Sequence, residues 1–209
     1  MTIKEKDFVE IEFTGKIKDS QEIFDSNIQE DIKKAKLDIK EIKPFILSVG
    51  QKMLPNGFDQ DLIEKEINKE YTLELKPEDA FGKRDKELIK MVPTRLFLEQ
   101  RINPQRGMQL NLDGQIVKIL SNSGGRTLID FNHPLAGKEV VYNYKINRIV
   151  ENENEKIDAL FDFFFKQKLE YEVKDKKIIF KELKKELKPY LQIFAPKIKE
   201  ILDLEINLE

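Results

Sequence analysis

Few side chains in this sequence could do covalent chemistry. There is one histidine, His133, and no cysteine among 209 residues, so a Ser-His-Asp or Cys-His arrangement has little material to draw on. A lone histidine is poor ground for a metal site, and neither a disulfide framework nor a cysteine-ligated metal can form. His133 lies in the turn sequence Asn132-His133-Pro134 and reads as a hydrogen-bonded structural residue. No cofactor and no metal are expected. The informative chemistry is aromatic. Pro77-Glu78-Asp79-Ala80-Phe81-Gly82 stops an alternating run and presents Phe81 just before a glycine suited to a sharp change of direction. Later, Asp130-Phe131-Asn132-His133-Pro134-Leu135-Ala136-Gly137-Lys138 leads into a second alternating run, as a chain does when it returns to an interrupted sheet.

Asp and Glu number 39 against 37 Lys and Arg, a net charge of -2, so the basic excess of a nucleic-acid binder is missing. Charged residues make up 36% in mixed sign, a solvated surface, and 40% hydrophobic content can fill a core in one or two domains. Met1-Thr2-Ile3-Lys4-Glu5-Lys6-Asp7 has no apolar run behind its charges, and no stretch has membrane-spanning length. The expectation is a cytoplasmic protein with neither a nucleic-acid nor a membrane partner.

These residues need elements to position them. Strands are expected over 7–18, where Val9, Ile11 and Phe13 alternate with Glu10 and Glu12, over a short stretch ending at Phe24-Asp25, and over 44–49, 71–75 and 139–149. Residues 26–43 place Ile28, Ile32, Ala35 and Ile39 at helical spacing, with Ser26 or Asn27 as cap. That stretch is either a surface excursion or a mobile lip beside a pocket. A loop and a short helix through Phe58, Leu62 and Ile63 fill 50–64.

Residues 83–129 have their own character. Val92 to Phe97 can open a short helix, and strands are expected over 108–112, 116–120 and 126–129, separated by Asp113-Gly114 and Asn122-Ser123-Gly124-Gly125. This predicts a small inserted β-module, either a ligand-free embellishment or a binding unit. Glu151-Asn152-Glu153-Asn154-Glu155-Lys156 reads as a linker. A helix through Ile157, Leu160, Phe161, Phe164 and Phe165 follows, then a hairpin of 171–173 with 178–180. A helix over 183–202, which Pro196 should kink or split, and an alternating end at 204–208 complete the chain. Such a module is near the lower size limit for a core stable alone, to be completed by a second copy or by packing on the rest.

Several motifs agree, in order, with one family. Phe13-Thr14-Gly15, Phe24-Asp25-Ser26, Pro44-Phe45, Gly57-Phe58, Glu78-Asp79-Ala80-Phe81-Gly82 and Asn132-His133-Pro134-Leu135-Ala136-Gly137 resemble the FKBP-type peptidyl-prolyl isomerases, and within them the SlyD-like and archaeal long forms. The resemblance covers most of the chain and is weaker in the C-terminal segment. It implies an α+β fold, an FKBP-type antiparallel half-barrel sheet wrapped on a short helix. The implied domains are an isomerase domain of 1–82 plus 130–150, an insert-in-flap substrate-binding domain of 83–129, and a C-terminal α+β module of 156–209.

Carried over position by position, the resemblance implies catalytic roles for Phe24, Asp25 and Phe81. It implies substrate binding by Phe13, Phe45, Leu54, Pro55, Phe58, Leu135 and Tyr142, with Phe58 as pocket floor. The chain departs from the pattern at Phe13 and Phe81, where many members carry tyrosine. It departs again at Pro55, where the family offers a backbone N–H that proline lacks. Ile67-Asn68-Lys69-Glu70 lacks the glycine often found before the fourth strand. The histidine- and cysteine-rich nickel tail of some SlyD proteins is absent.

Rotation about an X-Pro bond faces a barrier of about 20 kcal/mol but breaks no covalent bond, so no acid, base or nucleophile is required. The planar amide is strongly polarised and the twisted transition state less so, hence an apolar pocket that desolvates the amide favours the twisted form. A thousandfold acceleration takes only ~4 kcal/mol. The resemblance therefore implies isomerisation in proline-containing unfolded polypeptides. The insert would capture them through a strand edge and apolar residues such as Met91, Phe97 and Met108. A homodimer through the C-terminal module is a further expected partner. Two alternatives stand beside this: a holdase or binding module with a pocket weakened by Phe81 and Pro55, and a dimeric scaffold that uses the isomerase fold as a platform.

Overall fold

The computed structural model describes residues 2–39, 41–112 and 114–208. Its first half runs β1 (Phe8–Ile17), β2 (Ile23–Ser26), α1 (Gln29–Ala35), β3 (Phe45–Ser48), α2 (Asn56–Asp61) and β4 (Glu70–Leu75). The insert holds β5 (Ile89–Pro93), α3 (Arg95–Glu99), β6 (Gln109–Leu112), β7 (Gln115–Ser123) and β8 (Arg126–Asp130). After β9 (Val140–Ile149) come α4 (Glu153–Phe165), β10 (Tyr171–Lys174), β11 (Lys177–Phe180), α5 (Lys188–Leu202) and β12 (Glu205–Asn207).

The larger sheet has the order β2-β1-β9-β4, all antiparallel, with β3 also on β1. One edge of β1 serves two partners: residues 8–11 pair with β3 and residues 14–16 with β2. In the gap between them the Asn27 side chain takes the place of a strand. Its Oδ1 accepts from the Phe13 N–H and its Nδ2 donates to the Ile11 carbonyl, both at 2.8 Å. The chain leaves the sheet at Ser26 and rejoins it at Phe45, so the excursion of 27–44 springs from beside Phe13. On the other side of β1, β9 turns Val140, Tyr142, Tyr144 and Ile146 into the core. α2 lies against that face, with Phe58 fully buried and its ring 4.6 Å from Tyr142 and 4.8 Å from Tyr144. Gly15 lets the Phe24 and Tyr142 rings close over β1, because a Cβ there would come within 2.7 Å of Phe24 and 2.8 Å of Tyr142.

The excursion differs from the helix expected over 26–43. Lys36 turns left-handed at φ 53° and ends α1 after seven residues, of which only Ile32 is buried. Neither expected cap serves as one. Ile28 holds the cap position, Ser26 Oγ accepts from the Ile28 N–H, and Asn27 is committed to β1; Lys40 lies outside the described residues. Before β4, Asn68 adopts φ 61° and so supplies the left-handed residue that a glycine would otherwise provide.

The insert is a four-stranded antiparallel sheet, β5-β8-β7-β6, with α3 beside it. β5 corrects the expectation that Val92 and Pro93 begin a helix. Pro93 is tolerated because β5 is an edge strand. Leu112 faces Gln115 across the expected hairpin turn, in which Gly114 has φ 86° and Asp113 lies outside the described residues. Phe97 is not a capture residue: it is buried with Val117 and Ile129 in the insert's own small core. Met91 and Met108 are exposed.

The expected linker is the start of a helix. Asn152 Oδ1 accepts from the N–H groups of Asn154 and Glu155 at 2.9 and 3.2 Å, and Glu153 and Glu155 sit in the first turn, where negative charge suits the helix end. α4 lies across β3, and Ile157, Leu160 and Phe161 join the same core as Ile11 and Leu47. Arg148 ties the two parts at the surface, 2.8 Å from Glu10 and 2.6 Å from Glu155. The C-terminal segment is thus completed by packing on the rest of the chain. Its sheet, β10-β11-β12, ends with β12 parallel to β11. α5 runs unbroken through Pro196, against the expected split. Pro196 and Gln192, whose carbonyl loses its N–H partner, are both exposed residues, so water can replace the missing bond. Among the described residues no helix is long and apolar enough to cross a membrane.

Candidate active site

The split in the sheet opens onto a cavity of about 520 Å³ beside Phe13. Seven of the expected residues line it: Phe13, Asp25, Phe45, Leu54, Pro55, Phe81 and Tyr142. Phe13 meets Phe45 edge to face at 5.7 Å, and Phe24 meets Phe81 and Tyr142 in the same manner, each at 5.7 Å. The expected floor, Phe58, does not reach the cavity. It lies beneath Phe13 and Tyr142, driven there by the close approach of α2 to the sheet, and supports both rings from below. Phe24 and Leu135 face a neighbouring groove of about 760 Å³ between this sheet and the insert's Ile116 and Leu120. Cavity and groove share Asp25 and Phe81. The cavity also has walls that the sequence did not announce: Ile39, Ile42 and Met53, with Phe163 from α4 and Lys166 from its C-terminal cap. The excursion thus forms a lip of the cavity. The α4 residues carried no signal beyond an aromatic run that reads as core.

Asp25 follows Phe24 at the end of β2 and is exposed at the mouth. The aromatic walls still withdraw enough water to raise its carboxyl above the usual 3.8, against the opposing pull of the Ser26 N–H. Burial, and then the Asp25 charge, push the Tyr142 phenol up, so it keeps its proton and remains a donor. His133 stacks on Phe81, with ring centroids 4.8 Å apart and planes 1° from parallel, and its Nδ1 accepts from the Leu135 N–H at 3.2 Å. Burial lowers its pKa below 6.5. A neutral ring that accepts at Nδ1 is a support for Phe81, as its turn sequence suggests.

Two crossings join the insert to the body, and polar groups clamp them. Arg84 donates from Nε and a terminal nitrogen to Asp130 Oδ2 at 2.9 and 2.6 Å. Asn132 Oδ1 accepts from the Asp85 N–H, and its Nδ2 donates to the Asp85 carbonyl, each at 2.8 Å. Burial alone would raise the Asp130 pKa, but hydrogen bonds from Asn132 and Arg84 outweigh it and hold the carboxyl below the usual range. Among the described residues no three His, Cys, Asp or Glu side chains gather as a metal ion would need.

A split antiparallel sheet wrapped on a short helix, with an aromatic cavity at the split, defines a class that comparison with known proteins makes specific. Residues 1–97 match the family model of FKBP-type peptidyl-prolyl cis-trans isomerases, and residues 90–135 match one described as FKBP26, IF domain. A short-type peptidyl-prolyl cis-trans isomerase of Methanocaldococcus jannaschii is 31% identical over 155 residues, spanning 73% of this chain and 98% of the relative. The FKBP-type isomerase SlyD of Helicobacter pylori is 27% identical over 154 residues, 71% of this chain and 76% of its own. A 16 kDa FKBP-type isomerase of Escherichia coli is 30% identical over 112 residues, 51% and 74% respectively. The chain belongs to the FKBP-type peptidyl-prolyl cis-trans isomerases and is a SlyD-like member of that family.

Proposed function

We propose that the chain isomerises X-Pro bonds in unfolded or partly folded polypeptides, with residues 83–129 as a capturing domain that feeds the Phe13/Phe45 cavity. The observation that carries this reading is the shared border: the groove along the insert and the aromatic cavity lie side by side, with Asp25 and Phe81 lining both. A chain held weakly in the groove keeps its prolines beside the cavity at high effective concentration. On the insert, Met91, Leu96, Leu98, Met108 and Ile116 leave large apolar side chains exposed, and β5 and β6 are outer strands suited to strand addition.

In the cavity an incoming amide exchanges water for the rings of Phe13, Phe45 and Tyr142, which penalises the polar planar form more than the twisted one. Asp25, on the same wall as Tyr142, biases the carbonyl as it swings. Neither Phe81 nor Pro55 donates a hydrogen bond, so retention rests on apolar contact and on the Tyr142 phenol. Those two residues favour the second reading, a holdase with a weak pocket.

Replacing 83–129 by a short loop separates capture from catalysis. Isomerisation of a proline tetrapeptide should stay within about twofold, while acceleration of a proline-limited refolding reaction should fall about a hundredfold as effective concentration is lost. Equal losses on both substrates would remove the capturing role. A wild-type protein that binds unfolded chain but leaves the tetrapeptide unaccelerated would favour the holdase.

A further inference from the structure

The aromatic cavity does not end at the walls built by β1, β2 and β9. A second space, about 380 Å³, runs along α4 against residues 41–46, and it shares Phe45, Lys43, Phe163 and Lys166 with the cavity. The two adjoin as one trench, crossed at their border by the Lys43–Asp162 ion pair at 3.9 Å, an exposed contact weak enough for a passing chain to part. Its inner surface is apolar, with Pro44 and Phe45 on one side and Ala159 and Phe163 on the other. Its rims alternate in sign: Glu41, Asp158 and Asp162 against Lys43, Lys166 and Lys168. The Lys166 ammonium sits 5.2 Å from the Phe163 ring centre, at the left-handed residue that ends α4. On the cavity side, Ile42 and Ile39 leave 42% and 36% of their surface exposed, apolar area that a passing chain would cover.

We propose that α4 supplies a second substrate subsite, taking an apolar side chain a few residues from the isomerised proline. The occupant is the substrate polypeptide itself, since the trench opens into the cavity that holds the X-Pro bond and an extended chain leaving that cavity enters it. Successive side chains of an extended segment alternate in direction and advance about 3.3 Å per residue, so one flanking residue can reach Phe163 and Ala159 while the proline stays beside Phe45. The mixed rim selects against no one charge, and the apolar walls select for size and hydrophobicity. The proposal rests on the assignment of the prolyl site to the Phe13/Phe45 cavity.

The test compares a proline tetrapeptide with peptides of about twelve residues carrying the same X-Pro bond, flanked on either side by leucine and phenylalanine or by serine. With the intact protein, apolar flanks on one side should raise kcat/KM about fivefold through KM, what remains of burying one apolar side chain after the chain is ordered; serine flanks should not. Ala159→Arg, which fills the trench but not the prolyl cavity, should abolish that gain and leave the tetrapeptide rate within about twofold, at an unchanged melting temperature. A benzophenone on the flanking position of the long peptide should label the segment holding α4. No gain from apolar flanks, a gain that survives Ala159→Arg, or labelling confined to the insert would overturn the proposal. If the tetrapeptide is not isomerised at all, the prolyl-site assignment fails separately, and the labelled segment still decides where a bound chain runs.

Discussion

Phe81 and Asp25 show how single residues set the chemistry. Phe81 is held in place by its stack on His133 and its edge contact with Phe24, so a hydroxyl added to the ring would enter the site from a fixed position. Phe81→Tyr should raise kcat/KM on a tetrapeptide about 2- to 12-fold, the range that one net hydrogen bond of about 0.5–1.5 kcal/mol supports. An unchanged rate would mean that the substrate carbonyl lies elsewhere. Asp25 is exposed at the mouth, yet the aromatic walls beside it withdraw enough water to hold its folded-state pKa above its usual 3.8. An acid with a raised folded pKa favours the protonated form on folding, so its contribution to stability falls as pH rises through the interval above 3.8 and is fully adverse at neutral pH. Asp25→Asn should therefore raise the melting temperature modestly at pH 7, with the gain vanishing below pH 3.8, while isomerisation declines. A lower melting temperature at pH 7 would show that the carboxylate is structural.

At the scale of elements, the neck between sheet and insert is the part most open to test. Asn132 holds both crossings, bonding the Asp85 backbone and donating to the buried Asp130 Oδ1, and losing that donor to a buried carboxylate costs about 1–3 kcal/mol. Asn132→Ala should weaken refolding activity several-fold, because the groove loses its fixed relation to the cavity, and the tetrapeptide rate should fall much less. Equal effects on both would tie Asn132 to the pocket instead. Much of this architecture was legible in the sequence, since alternation over 8–17 and 140–149 and the spacing of the aromatic motifs follow directly from which side chains face the core. The misreadings share a cause: one composition serves two structures. Glu153 and Glu155 suit a solvated linker and equally the first turn of α4. Pro93 suits a helix start and equally the end of an edge strand. Ile28 and Ile39 keep helical spacing with Ile32, but only Ile32 finds a core to bury in. The contribution of Phe163 and Lys166 to the cavity was illegible because it depends on how α4 crosses β3.

The molecule as a whole couples its parts unequally. The insert has its own small core of Phe97, Val117 and Ile129, which is why its removal is a fair test of function. The C-terminal segment shares the main core through Ile157, Leu160 and Phe161, so cutting it away would expose the underside of β3 and unfold the site along with it. Phe58 is a similar trap: it is fully buried, and truncating it to alanine should cost about 3–5 kcal/mol of stability before it says anything about catalysis. Point changes at the cavity surface avoid both problems. The most direct measurement is cis-to-trans isomerisation of a proline tetrapeptide by the intact protein, by Asp25→Ala and by Phe45→Ala, each shown to be folded by its melting curve. Clear acceleration by the intact protein, reduced about tenfold or more in both variants, is the expected result. Acceleration that both variants retain in full would contradict the assignment of the isomerase site to this cavity.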